Sequence, residues 1–350
     1  MRIAQVAPLV YSVPPANYGG IEMFLHVLVE ELADRGHQVT LFGTGDSRTR
    51  ANVRAITPTG LDVLIQRGEA GTSTPYHNAA MAMALTDEND YDVVHAHLGC
   101  SRVPYGTVST IPVLHTLHDP IEIDDVWMAL RFPRERLVAL SHDQIADIPT
   151  ERRSAISVIY HGWRFREPFH SPRRGDYLLF LGRTTSEKNP VDAVRIARAA
   201  GYRVILAGVP SARFEHEQRY FEEEVAPLID GDRVVYVGAV DQRRKRELLD
   251  RALALLFPIT WREPFGLVMI EAMEAGVPVL AYRKGSVPEI IDAGVTGYYG
   301  DSIEELVELV PRVLALDRRK LRAHAALRFD HRRMVDDYET LFERMVCEGR

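Results

Sequence analysis

Twice along this chain, short runs of Val, Ile and Leu alternate with segments whose apolar residues recur at helical spacing, and no other feature restricts the fold so strongly. Apolar runs without polar alternation make strands buried on both faces, an arrangement found where helices cover a parallel sheet on each side. In the first half the expected strands are Arg2 to Ala7, Gln38 to Phe42, Asp92 to His97, Val113 to Leu117, Leu137 to Leu140 and Ser157 to Tyr160. In the second half they are Tyr177 to Leu181, Arg203 to Ala207, Val234 to Val237, Ala254 to Phe257, Val279 to Tyr282 and Gly297 to Tyr299. Each half reads as one doubly wound α/β sheet, and 350 residues suit two such domains better than one core. The stretch Trp163 to Gly175 carries prolines and charges without any period and reads as the connection, so domains are expected at 1–166 and 167–330. In 331–350, Met334, Tyr338, Leu341, Phe342 and Met345 recur at helical spacing, predicting a helix that caps the second domain or crosses back to the first.

A net charge of -7 argues against a chain whose main partner is nucleic acid. Cys100 and Cys347 are too few for a disulfide framework and form no CxxC pair, which suits a reducing compartment. The N-terminal segment has one basic residue and an apolar stretch broken by Pro8, a poor secretion signal and a good first strand. No apolar run is long enough to span a bilayer. The expectation is a cytoplasmic protein, with peripheral attachment to a membrane left open. The basic stretches Gln242 to Arg246 and Asp317 to Arg322 are read as solvated helix faces, contact with an anionic membrane being the alternative.

Tyr18-Gly19-Gly20 follows the first strand and precedes a helical stripe of Ile21, Phe24, Leu25, Leu28, Val29 and Leu32 that stops at Gly36. Paired glycines at a helix start let a phosphate reach free backbone N–H groups, although a tight turn would use them equally well. Gly43-Thr44-Gly45 lacks the third glycine of a dinucleotide fingerprint, and no GxxxxGK[ST] is present. The second half opens with a strand and then Gly182-Arg183-Thr-Thr-Ser-Glu187-Lys188. Arg183 and Lys188 thus lie at the carboxyl end of a strand, the edge where open α/β sheets bind ligands, and could stabilise a departing diphosphate. Two exposed surface cations are the alternative.

The most informative segment is Glu263-Pro264-Phe265-Gly266-Leu267-Val-Met-Ile-Glu271, running from a loop into a helix that ends at Gly276-Val-Pro278. Glu271 falls in the second turn, while Glu263 stays in the loop beside the amides of Phe265, Gly266 and Leu267. Two carboxylates at different depths of one site can each accept from a pair of sugar or ribose hydroxyls. Glutamates on an exposed helix would show the same spacing, and the flanking Pro-Phe-Gly and Gly-Val-Pro weigh against that.

Taken with the Gly19-Gly20 loop, His95 to His97, Thr116 to Asp119 and Gly182-Arg183 with Glu187-Lys188, this segment resembles family 4 glycosyltransferases. The pieces occur in the family's order over nearly the whole chain. The resemblance implies the GT-B fold, two Rossmann-like domains facing across a cleft, and retaining transfer from a nucleotide sugar with no metal and no other cofactor. It implies that Gly19 and Gly20 contact the diphosphate, that Gly182, Arg183 and Lys188 bind and neutralise it, and that Val237 and Gly238 lie against the base. Glu271 would hold the ribose, and Glu263 with Pro264 to Leu267 the transferred sugar. His118 would stand beside the anomeric carbon and position the sugar without acting as an obligatory base. At Tyr160-His161-Gly162 the family's usual asparagine before the glycine is missing.

Histidines 95, 97, 115, 118, 142 and 161 fall at expected strand ends, and a metal hydrolase could use such a set, but no HExxH or ligand-plus-carboxylate pattern accompanies them. Asp90-Tyr91-Asp92 spells the DxD of metal-using transferases and precedes its strand, where it reads as a polar entrance. A nucleotide-sugar epimerase or a noncatalytic nucleotide-sugar binder are the alternatives. Base, sugar and acceptor are assigned to the loops Asn52 to Tyr76 and Pro120 to Arg134, which carry no readable code.

Overall fold

A computed structural model describes residues 1–16, 19–87, 91–167, 169, 175–211 and 214–349. Tyr18, Asp90 and part of the expected connection lie outside the described residues.

The first sheet is built from β1 (Arg2–Val6), β2 (Gln38–Thr44), β3 (Asn52–Thr57), β4 (Val93–Ala96), β5 (Val113–Thr116), β6 (Arg136–Ala139) and β7 (Ser157–Val158). Its strands are parallel and ordered β3-β2-β1-β4-β5-β6-β7, with Ile3 of β1 registered between Val39 and Val93. The second sheet holds β8 (Tyr177–Leu181), β9 (Arg203–Ala207), β10 (Val234–Gly238), β11 (Leu255–Phe257), β12 (Val279–Tyr282) and β13 (Gly297–Gly300), also parallel, in the order β10-β9-β8-β11-β12-β13. Strand order reverses between β1 and β4 and again between β8 and β11. The carboxyl edge at such a reversal is where open α/β sheets bind ligands.

The molecule divides into Met1–Gly162 with His331–Arg350, and Trp163–Asp330. The boundary falls at Gly162/Trp163 and not at 166/167, because Trp163 N–H donates to the Phe329 carbonyl at 2.8 Å and Trp163 bridges Asp330. The closing helix, His331–Glu348, returns to the first unit: Met334, Tyr338, Leu341, Phe342 and Met345 share a core with Phe24, Leu25, Leu28 and Leu32 of the helix Gly20–Asp34. Burying each such side chain contributes about 1.5–3 kcal/mol. Arg35 adds ion pairs to Glu31 at 3.1 Å, Asp336 at 2.6 Å and Glu339.

Three expectations need correction. The loop assigned to Asn52–Tyr76 contains β3, the helix Leu61–Gln66 and the start of the helix Thr74–Thr86, and the loop 120–134 contains the helix Ile123–Arg131. β3 is an edge strand with Asn52, Arg54 and Ala55 exposed, so no apolar run marks it. The basic stretches are also not uniformly solvated. Arg318 and Arg322 are buried and donate to main-chain carbonyls where helices end, at Ala252 and Leu253 and at Glu274, and Arg246 pairs with the buried Glu274. A guanidinium at a helix C-terminus meets unpaired carbonyls and the negative end of the dipole, which makes its burial tolerable. Among the described residues no helix is long and apolar enough to cross a membrane.

Candidate active site

In the second unit the reversal of strand order brings the loops after β8 and β11 together. Thr260 N–H donates to the Glu187 carbonyl at 2.9 Å, and from this seam Lys188 reaches Glu263, Nζ to Oε2, at 2.5 Å. Trp261 completes the arrangement, its indole Nε1–H donating to the same Oε2 at 3.0 Å and its ring lying 4.2 Å from the Lys188 ammonium. Both side chains of the ion pair are 13% exposed. With two donors on Oε2, the carboxylate is held in one orientation and Oε1 is left to accept from a ligand.

The backbone around Glu263 explains why the sequence folds this way. Ser286 N–H donates to the Glu263 carbonyl at 3.0 Å and Ser286 Oγ–H to the Phe265 carbonyl at 2.9 Å. Gly285 passes so close that a Cβ there would stand 2.5 Å from both Glu263 N and O. The helix Leu267–Glu274 then carries Glu271, whose two oxygens accept from Lys245 Nζ at 2.9 and 2.8 Å. Arg183 pairs with Glu187 at 2.5 Å, and these side chains are 30% exposed. Gly208 N–H donates to the Gly238 carbonyl at 2.8 Å, and Gly208 lies against the Gly182 carbonyl without room for a Cβ. The ends of β8, β9 and β10 thereby meet through Gly208, which touches Gly182 on one side and Gly238 on the other, while Pro264 to Leu267 follow in the loop after β11 and at the start of the next helix.

Gly19, Gly20 and His118 belong to the first unit. Gly19 adopts φ +154 as it enters the helix Gly20–Asp34, packed between Pro15 and Glu22. His118 follows β5 and hydrogen-bonds through Nε2 to His97 Nδ1 at 2.9 Å, while His97 Nε2 meets Gln5 Oε1 at 2.9 Å. His161 stacks on His118 with ring centroids 5.5 Å apart, and Phe24 packs against both. His95 Nε2 lies 2.7 Å from Thr116 Oγ1, which meets Tyr338 OH at 3.1 Å. Burial pushes His118 down to about 3 and His115 to about 4, and lowers His95, His97 and His161 well below the ordinary imidazole value. These rings are therefore neutral at pH 7; His97 uses both nitrogens, toward His118 and Gln5, and His95 and His118 use Nε2, while neither nitrogen of His115 has a hydrogen-bond partner among the described residues. Among the described residues no group of His, Cys, Asp and Glu is arranged to hold a metal ion.

Sequence reading missed Lys245, Trp261, Gln5 and His97 as site residues. Lys245 lies in the first turns of the helix Gln242–Arg251, which leaves the carboxyl end of β10, so its position on the binding edge was the available signal. Gln5 announced itself as a polar residue inside an apolar strand.

Two family models account for most of the chain: Glycosyl transferases group 1 over residues 163–328 and Glycosyltransferase Family 4 over residues 18–167. The chain is a family 4 glycosyltransferase. It is 26% identical over 389 residues to the D-inositol 3-phosphate glycosyltransferase of Mycolicibacterium smegmatis, covering 95% of this chain and 88% of that one. AviGT4, a glycosyltransferase involved in avilamycin A biosynthesis, is 24% identical with a TM-score of 0.75 over 99% of both chains. Anabaena HepE in complex with UDP-glucose is 19% identical with a TM-score of 0.73, over 97% of this chain and 99% of that one. This glycosyltransferase therefore has the GT-B fold, each of its units being one of the fold's α/β domains.

Proposed function

We propose that this glycosyltransferase transfers a hexosyl group from a nucleoside diphosphate sugar to an acceptor hydroxyl, with retention at the anomeric carbon and without a divalent metal. The observation that carries the reading is the Lys188–Glu263–Trp261 arrangement at the switch point of the second sheet. It offers one oriented carboxylate oxygen to sugar hydroxyls beside a loop that also supplies the Arg183 guanidinium. Glu271, held by Lys245, offers a second pair of acceptors suited to a ribose diol. The sugar nucleotide bound in the HepE structure is a ligand of this chemistry.

In the reaction the glycosidic C–O bond to the diphosphate breaks as positive charge develops on the sugar ring, and negative charge grows on the leaving oxygen. Arg183 and Lys188 supply fixed positive charge for that oxygen in place of a metal ion. The acceptor hydroxyl attacks from the face the diphosphate leaves, and its proton passes to the departing phosphate. Glu263 is not the nucleophile in this scheme, consistent with Oε2 being occupied by Lys188 and Trp261. His118, neutral, positions the sugar. The two free thiols, Cys100 buried and Cys347 exposed, fit a reducing cytoplasmic setting.

A thermal-shift panel of UDP, GDP and ADP sugars tests the donor, since a ligand at about 100 times its Kd raises stability by about 2.7 kcal/mol. Sugar release, assayed with and without candidate acceptors and in EDTA, tests transfer and metal independence. No stabilisation by any nucleotide sugar, or activity lost in EDTA and restored by a divalent ion, would overturn the proposal in its present form.

A further inference from the structure

The histidine cluster of the first unit contains a feature that sugar binding alone does not require: a buried amide that ends a chain of imidazoles. We infer that Gln5 and His97 are positioning residues, which together hold His118 as the tautomer protonated on Nε2 and so present its Nδ1 as a hydrogen-bond acceptor to a hydroxyl of the donor sugar. The inference rests on the reading of His118 as a sugar contact and adds what sets its polarity.

The geometry runs across three neighbouring strands. Gln5 of β1 is fully buried and registers with His95 of β4, and the His97 N–H, just beyond β4, donates to the Val6 carbonyl at 3.0 Å. A glutamine in the middle of an apolar strand breaks the local pattern, and such breaks mark sites where another demand prevails. Gln5 Oε1 is the amide atom that faces His97 Nε2, at 2.9 Å. An amide oxygen only accepts, so the His97 proton is on Nε2. His97 is neutral through burial, which leaves its Nδ1 bare. The 2.9 Å contact from that Nδ1 to His118 Nε2 then requires the His118 proton on Nε2. What remains is His118 Nδ1, a lone pair shielded from solvent and without a hydrogen-bond partner among the described residues.

A buried acceptor left unsatisfied calls for a partner that arrives with a ligand. Phe24 and His161 fix the ring plane, with centroids 5.2 and 5.5 Å from that of His118, so the lone pair has one direction. The opposite amide orientation would reverse every proton in the chain and make His118 Nδ1 a donor. Gln5 therefore decides whether the imidazole asks the sugar for a hydrogen or offers one.

Long-range proton–nitrogen NMR of the imidazoles in the full chain, without ligand at pH 7, reads the tautomers directly and does not depend on what the enzyme transfers. The expected result is a protonated Nε2 and a bare Nδ1 on both His97 and His118. A proton on His118 Nδ1, or an imidazolium, overturns the inference and leaves the transferase reading intact. Gln5→Met keeps the side-chain length and removes the acceptor. It should give a His118 signal intermediate between tautomers and lower kcat by roughly twofold to fivefold, the range expected when a correctly oriented hydrogen bond becomes only partly populated. An unchanged His118 signal in that variant, or a fall in thermal stability with kcat unaffected, shows a purely structural amide and also overturns it. Should Gln5→Met fail to fold, a series of deoxyfluoro donors on the wild-type enzyme serves the same end, because fluorine cannot donate. One position should lose turnover in the wild type and lose nothing further in His118→Ala; tolerance of fluorine at every position contradicts an acceptor role. Loss of nucleotide-sugar binding altogether would instead count against the function proposed above.

Discussion

The two sheets share a strand order and place their loops at equivalent switch points, yet the side chains there follow opposite electrostatic rules. At the edge of the first sheet, His97, His118 and His161 surround Phe24, His95 packs against His97, and all four are neutral through burial. At the edge of the second, Lys188–Glu263, Lys245–Glu271 and Arg183–Glu187 are ion pairs. The fold fixes where a ligand can bind, and the residues on each edge fix what kind. A neutral, aromatic edge can orient a sugar without drawing a proton from it. A charged edge can receive a pyrophosphoryl group, because each carboxylate there is paired with a cation that offsets its repulsion.

The largest effect should come from breaking the charged edge. Lys188→Ala removes the cation that the proposed function places beside the leaving group and takes the ion-pair partner from Glu263, and Arg183→Ala removes the second proposed cation. Each should lower kcat on the order of 10²-fold, the usual loss when one preorganised charge or donor is deleted. Near-normal turnover in either variant at saturating donor would sink the cationic-clamp account. Glu271→Gln should act on binding instead, weakening the nucleotide by about tenfold, as expected for loss of a charge-assisted hydrogen bond. A calorimetric Kd for the free nucleoside diphosphate checks it, and a change confined to kcat would remove Glu271 from the ribose.

Acid should weaken the neutral edge selectively. His118 and His115 have folded values near 3 and 4, below the unfolded imidazole value of about 6.5. Between those limits the unfolded chain binds more protons than the native one, so stability is complete above pH 6.5 and falls as pH drops toward 4. Glu22 works the other way: burial raises it from 4.5 to about 7, and its contribution improves as pH falls through that window. The histidines outnumber it, so the melting temperature should decline on acidification from pH 7 to 5, and the slope should be shallower in His115→Leu. A melting temperature that rises over this range would contradict the assignment of neutral, buried rings.

The uneven legibility of the two edges has the same origin. Glu263, Phe265, Gly266 and Glu271 sit in one continuous segment, where a loop becomes a helix, and local spacing sufficed to single them out. Lys245 and Trp261 gain their roles only when the ends of β8, β10 and β11 converge, and nothing near Lys245 in sequence distinguishes it from Arg243 and Arg244, which face solvent and pair with Glu247. β3 escaped notice because an edge strand need not be apolar. Gln5 offered a signal as a polar residue in Arg2–Val6, but its partner His97 lies just past the end of another strand. The paired sheets were legible because burial on both faces leaves its mark on every residue of a strand, whereas a polar contact across strands marks only its two ends.

The smallest expected effect is the most discriminating within the charged edge. Lys188–Glu263 is nearly buried, with Trp261 stacked over it, while Arg183–Glu187 is 30% exposed on both sides and spans one helical turn's separation in sequence. A partly exposed pair of that kind contributes about 0–1 kcal/mol to stability, so losing it to a ligand costs the fold little. Glu187→Gln removes this ion pair in advance. The variant should keep its melting temperature within about 2 °C, as a change well under 1 kcal/mol implies for a chain of this size. It should bind the nucleoside diphosphate up to a few-fold more tightly at low salt, and the gain should shrink as ionic strength screens the exposed charge. Weaker binding would mean that Glu187 orients Arg183 toward the phosphate and does not merely compete for it, and Arg183 would then work as Lys188 does, through a carboxylate partner that holds it in place.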